Sequence, residues 1–194
     1  MRRLAATGAV VATLIAGHAL GALLPADKVA SASFVSEGAP GETVALPYAD
    51  VRLAGMAIAT DLTGPAPSKP DGRYLVLDLE VTARGEPLRG APPDVRDRDQ
   101  RRYAVSPACA GSLTLATGIP SRVRLCVDLP QSAFAGATLV LGRGSQDIEG
   151  NRRDAVAEFD LGLSPAGATT LWDGARPLSA FAAGAIPPRD WLGR

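Results

Sequence analysis

The residues able to do chemistry in this sequence are few, and most of them are carboxylates. The one histidine, His18, sits inside an apolar run near the N-terminus. A domain downstream of it has no imidazole for a Ser-His-Asp or Cys-His arrangement, nor one to offer zinc. Two cysteines, Cys109 and Cys126, stand without a CxxC spacing or companion ligands, so a redox-active or metal role lacks partners. An even cysteine count in an exported chain predicts a bridge instead. If the two pair across a hairpin, its centre falls between Thr117 and Gly118, where Thr117-Gly118-Ile119-Pro120 supplies turn residues. A Cys109–Cys126 disulfide closing that loop stabilises by about 3 kcal/mol in the chain-entropy picture. Cys126 falls in the polar register of its strand, so the bridge is expected to clip an outer face and leave the core alone.

The carboxylates group in three ways. Asp94, Asp97 and Asp99 are the nearest thing to a hard-cation site, but Arg96, Arg98, Arg101 and Arg102 interleave with them. No glycine or bidentate glutamate follows where a calcium loop needs one. A hairpin tip with local ion pairs is the simpler reading. Asp78 with Glu80, and Glu158 with Asp160, are two apart on extended segments. That spacing holds carboxylates about 7 Å apart on one face, within reach of acid–base cooperation; the solvent side of a sandwich strand nevertheless has to be polar. Asp147, Glu149 and Asp154 surround Gly150-Asn151 and read as turn residues. Gly142-Arg143-Gly144 lacks the lysine and helix of a phosphate cradle. Trp172 and Trp191 either anchor a partner or cover an apolar edge of the same domain. No cofactor, metal or catalytic residue is assigned.

These groups need a scaffold, and composition bounds it. The chain has 194 residues, 20 basic and 20 acidic, for a formal net charge of zero. That argues against nucleic acid as a partner, since its binding rewards a basic excess. An apolar fraction of 46% with 21 Gly and 16 Pro describes a turn-rich globular protein.

Met1-Arg2-Arg3 followed by a nearly uncharged run from Leu4 to Leu24 is an export signal. Ala30-Ser31-Ala32 offers small residues for cleavage, with Gly17-His18-Ala19 a poorer site. Without cleavage, the run is long enough to anchor the chain as a transmembrane helix. The paired arginines fit either an ordinary n-region or a twin-arginine signal. Both fates place the domain outside the cytoplasm, secreted or tethered. Residues 1–32 are thus read as signal peptide or anchor, 33–42 as linker, 43–163 as the domain and 164–194 as a tail that packs in part.

Within the domain, period-2 segments alternate with Gly, Pro and Asp clusters. In Arg73–Ala83, Leu75, Leu77, Leu79 and Val81 alternate with Val76, Asp78, Glu80 and Thr82. Arg122–Leu129 and Ala155–Leu163 repeat the pattern, Val51–Thr60 is a further clear candidate, and Thr43–Leu46 and Thr138–Leu141 are shorter cases. One aliphatic side per segment marks strands with one face in a core. Seven or eight strands with regular turns predict an all-β, antiparallel β-sandwich behind an N-terminal hydrophobic helix. One more edge strand is expected near Thr169–Trp172.

The order of Asp71-Gly72-Arg73-Tyr74, the run Leu75–Thr82, the turn Asp97-Arg98-Asp99-Gln100 leading to Tyr103, Gly118-Ile119-Pro120, and the strand Val123–Leu129 closed by Pro130 resembles the telokin-like, immunoglobulin-fold extracellular domains of unknown function of Gram-positive bacteria. The resemblance covers roughly residues 43–163 and departs at Gln100, where a glycine is commoner. It implies an immunoglobulin-like β-sandwich and an extracytoplasmic location, and it transfers no active-site residues. The function expected is that of a non-catalytic extracytoplasmic binding or accessory domain. Its partner is a cell-envelope protein or cell-wall component, and it meets membrane only through an uncleaved N-terminal segment. The alternative is a small-ligand-binding or carboxylate-based enzyme domain of the cell envelope.

Overall fold

Alternating side chains give this chain two sheets that close on a shared apolar interior. The computed structural model describes residues 33–63, 67–89, 93–109, 114–143, 154–180 and 184–185. In chain order the strands are β1 (Phe34–Gly38), β2 (Thr43–Leu46), β3 (Ala49–Thr63), β4 (Arg73–Ala83), β5 (Leu88–Arg89), β6 (Asp94–Arg96), β7 (Arg102–Ala104), β8 (Thr114–Leu115) and β9 (Ser121–Leu129). A 3-10 turn at Gln131–Ala133 leads to β10 (Thr138–Leu141) and β11 (Ala155–Asp160). Helix α1 (Pro165–Asp173) precedes β12 (Arg176–Ser179) and β13 (Gly184–Ala185). One sheet has the order β1-β11-β10-β6-β7 and the other β12-β3-β4-β9-β13, with β2 also on β3 and a separate β5–β8 pair.

The core is the one the alternation dictates. Leu75, Leu77, Leu79, Val123, Leu125 and Val127 from one sheet, and Phe159 and Leu161 from the other, are all buried in a single cluster. Strand β3 feeds the same cluster in two phases. Val51 and Leu53 face inward before a bulge; Met56 and Ile58 pair with Leu77 and Leu75 after it. Ala54 is the extra residue, and the bulge absorbs it; in a regular strand Met56 and Ile58 would fall on the opposite face from Val51 and Leu53. Gly72 marks the tightest approach. A Cβ there would lie 2.2 Å from the Leu129 carbonyl oxygen, so β4 can start beside β9 only with glycine at that position.

The observed topology corrects the antiparallel sandwich. The strands are mixed, because β1 runs parallel to β11 and β12 runs parallel to β3. Both parallel pairs come from segments whose small and polar residues hide the strand pattern. Phe34–Gly38, read as linker, is an edge strand. The strand expected at Thr169–Trp172 is helix α1, which Ser164 caps by accepting from the Gly167 amide at 3.1 Å, with Pro165 in the first turn. These capping residues outweigh the weak helix propensity of Thr and Gly. Several of the thirteen strands found among the described residues are two- or three-residue pieces, which no periodicity reveals.

The hydrophobic N-terminal helix of residues 1–32 lies outside the described residues. The one helix of α type among the described residues is α1, and no helix among them is long and apolar enough to cross a membrane. Among the described residues, then, nothing corresponds to the transmembrane helix expected from the sequence.

The disulfide joins Cys109 and Cys126 with Cα atoms 5.6 Å apart, but not through the expected hairpin. β8 pairs with β5, while Val105 bridges Val127 and the Ser106 amide donates to the Cys126 carbonyl at 2.7 Å. Nor does the bridge sit on a polar surface. Cys109 and Cys126 are buried with Ala59, Leu62, Tyr74 and Val76 in a second apolar cluster.

Leu77, fully buried between the sheets, tests the register. Leu77→Ala is expected to cost about 2–5 kcal/mol of stability, read from a chemical denaturation curve.

Candidate functional site

The carboxylates that could cooperate chemically are paired with arginine across neighbouring strands. Asp78 on β4 stands opposite Arg124 on β9 and meets it twice, Nε to Oδ1 and Nη2 to Oδ2, both at 2.7 Å. Glu80 lies in register between Arg52 and Arg122, receiving Arg52 Nη1 at 2.9 Å with Arg122 Nη2 at 3.7 Å. Asp50 pairs with Arg84 at 2.6 Å. A bidentate guanidinium fills the oxygens of a carboxylate with fixed donors, which is the opposite of what a proton shuttle needs.

The other sheet repeats the device. Glu158 on β11 receives Arg96 Nη1 at 3.5 Å, and Asp94 on β6 is held between Arg96 and Arg102. Asp160 instead accepts from the Gly162 amide at 2.9 Å. Of the two nominated pairs, Asp78 and Glu80 share one ladder, whereas Glu158 belongs to a charge ladder and Asp160 to a turn.

Asp97, in the β6–β7 turn, is the best-organised of Asp94, Asp97 and Asp99. Its side chain is 4% exposed. Oδ1 accepts from the amides of Asp99 and Arg101, each at 2.9 Å, and Oδ2 accepts from the Tyr103 hydroxyl at 3.2 Å. Burial works against the charge, but these donors and the Arg101 guanidinium outweigh it and hold the Asp97 carboxyl below the usual aspartate range. Burial and the facing Asp97 push the Tyr103 phenol up. Asp97 thus ties the turn together, and the turn ends on Gln100 at φ +62, a left-handed conformation that a glycine would adopt without strain. Asp94, Asp97 and Asp99 do not converge. Among the described residues, no group of three or more His, Cys, Asp or Glu is placed to hold a metal ion.

Asp154 pairs with Arg143 at 2.9 Å, and Arg143 also lies over the Tyr48 ring at 5.0 Å. The Tyr48 hydroxyl donates to the Ala155 carbonyl at 2.6 Å, and burial pushes its pKa up to about 12. It remains a donor at any physiological pH. Trp172 packs edge-on against Phe134 with ring centroids 5.3 Å apart, and the Arg73 guanidinium lies 4.5 Å over its ring. Its role here is to cap the end of the main cluster, to which it belongs. Asp147, Glu149, Trp191 and His18 lie outside the described residues.

Two of the surface grooves among the described residues bear on these groups. One of about 420 Å³ is lined by Tyr48, Glu86, Pro87, Leu88 and Arg143. The other, about 610 Å³, opens beside β1 and carries Glu37, Glu42, Glu158 and Asp160. Glu42 accepts from the Ala39 amide at 3.0 Å, so with Glu158 and Asp160 already engaged its acids do not aim at one point. Strand β1 itself has no second strand on its outer side among the described residues. Phe34 and Val35 on it are 69% and 49% exposed. Sequence reading missed this edge because Ser36, Gly38 and Pro40 gave the segment a linker's composition; the adjacent β-formers Phe34-Val35 were the available signal.

No protein-family model matches the chain, and no curated protein sequence matches it. Solved structures do. The chain is similar to the yjhA protein from Bacillus subtilis, at 18% identity with a TM-score of 0.47, covering 62% of this chain and 98% of that one. It is similar to a secreted protein from Mycobacterium tuberculosis, MPT63, at 13% identity and TM-score 0.48, covering 66% and 99%. An uncharacterised β-sandwich protein from Clostridium difficile stands at 11% and 0.42, covering 66% and 95%. The particular telokin-like family read in the sequence is not among these findings. What the strands themselves define is a mixed-strand, two-sheet, β-sandwich-like domain carrying one disulfide.

Asp97→Asn should be less stable than the parent protein near neutral pH. The folded-state pKa is lowered, so the ionised carboxylate contributes stability above the ordinary value of 3.8, lost as pH falls through the folded value. The gap between the two proteins is therefore expected to narrow as melts are run at pH values below 3.8. Separately, Gln100→Gly is expected to raise the melting temperature, by relieving about 1 kcal/mol of left-handed strain.

Proposed function

We propose that this is a non-catalytic, extracytoplasmic binding or accessory domain that engages a cell-envelope protein or cell-wall component along the β1 edge. The observation that carries the reading is the pair of exposed apolar side chains, Phe34 and Val35, on a strand with one free side. An edge strand with apolar side chains is a template for added strands and is usually blunted by charge or cover. The ladders support the same reading from the other direction, since guanidinium groups occupy Asp78, Glu80 and Glu158. The extracytoplasmic placement rests on the N-terminal export pattern and on the buried disulfide, a bond that persists in oxidising compartments.

A second reading has one observation in its favour: the acidic groove beside β1 suits a cationic small ligand. The two are separated by one set of variants. With the purified domain as bait on cell-envelope extract, Phe34→Ser with Val35→Ser is expected to abolish capture of its partner. Asp78→Asn with Glu80→Gln is expected to leave capture intact. Capture that survives the edge variant but fails in Glu37→Gln with Asp160→Asn favours the groove. Turnover of a cell-wall substrate that disappears on replacing Asp78 or Glu80 would overturn the non-catalytic reading.

A further inference from the structure

The strongest unexplained feature is the burial of the disulfide beneath a segment that arrives from far along the chain. Cys126 is 0% and Cys109 4% exposed. Leu178 and Ala180 pack against the cluster that contains both. They are delivered by β12, which adds in parallel to the outer half of β3, Leu178 beside Leu62. Two hydrogen bonds fasten the end of this strap: the Ala180 amide donates to the Thr63 carbonyl at 2.7 Å, and the Thr63 hydroxyl donates to the Leu178 carbonyl at 3.3 Å. Cys109 comes from the turn at Ser106–Cys109, itself held to β9 by the Ser106 amide. The bridge, residues of β3 and β4, and the strap thus meet in one apolar cluster.

We infer that residues 176–180 form a gate over the Cys109–Cys126 bridge. The bridge closes before the strap docks, and it is reduced only after the strap lifts. Reduction needs an external dithiol. Its thiolate attacks one sulfur of the bridge, breaking the Sγ–Sγ bond and forming a mixed disulfide. The second thiol of the reagent then displaces the remaining cysteine, and the reagent leaves as its own cyclic disulfide. Two electrons and two protons pass to Cys109 and Cys126. An attacking thiolate must approach along the sulfur–sulfur axis, and with the strap docked the two cysteines are 0% and 4% exposed. The strap is held by the side chains of Leu178 and Ala180 and a few backbone bonds. Such elements open at lower free energy than a whole domain.

The test uses the full chain, oxidised, in dithiothreitol without denaturant, with released thiols alkylated and counted by mass. Leu178→Asp places a charge in the apolar contact; Leu178→Ala is the milder version. Leu139→Ala weakens the main cluster on the opposite sheet, away from the strap. The expected result is a slow reaction in the parent protein and an acceleration of about tenfold or more in Leu178→Asp, which about 1.4 kcal/mol of lost docking would produce. Leu178→Ala should move the rate the same way, and Leu139→Ala should not reach it even when its unfolding midpoint falls as far. Rates that follow the unfolding midpoint in all three variants would overturn the gate. So would a parent bridge reduced as fast as the same bridge in the unfolded chain.

Discussion

β4 has to bury both of its faces, and most of the remaining structure follows from how it does so. Leu75, Leu77, Leu79 and Val81 point into the space between the sheets; Tyr74 and Val76 point the other way and are buried too. An apolar residue removed from water contributes about 1.5–3 kcal/mol, so neither face can stay open. The inner face recruits the second sheet, with Phe159 and Leu139 against it. The outer face recruits the Ser106–Cys109 turn and β12. Where the outer face becomes polar, at Asp78 and Glu80, arginines from β3 and β9 take over. One strand thus sets where the core lies, where the bridge is buried and where the charge ladders begin.

Much of this was legible in the sequence because it depends on period-2 alternation in long strands. The inward rows of β4, β9 and β11 could be read directly, and so could the turn around Asp97 with its unusual Gln100. Val76 was misassigned to a polar face because Asp78 and Glu80 share its parity; nothing in local sequence says that Cys109, Cys126 and residues of β3 join it in a buried cluster. Phe34–Gly38 and Arg176–Ser179 were missed for a related reason. A strand that joins by backbone pairing at an edge needs no alternation, so its sequence carries little trace of it. Helix α1 was signalled by Ser164-Pro165 and went unread because the following residues, Ala-Gly-Ala-Thr-Thr, are poor helix formers.

The candidate site was legible only by subtraction. Sequence spacing correctly put Asp78 and Glu80 on one strand face, but spacing cannot show which arginine lies opposite. The pairs Arg124–Asp78 and Arg52–Glu80 span 46 and 28 positions in the chain. Their alignment follows from strand register, and that register is set by the apolar rows on the other side of the same strands. For this reason an enzyme reading based on adjacent carboxylates fails on long-range geometry rather than on residue type.

The two parallel pairings also fix a timetable. As the chain emerges from its N-terminus, β1 appears early, yet the strand it lies against begins at Ala155. β3 likewise waits for Arg176. Contacts between such distant segments form late and make folding slow. Until about four-fifths of the chain has emerged, the Phe34-Val35 pair has no sheet to join. The same two residues that stay exposed once the fold is complete are thus also among the last to find a backbone partner.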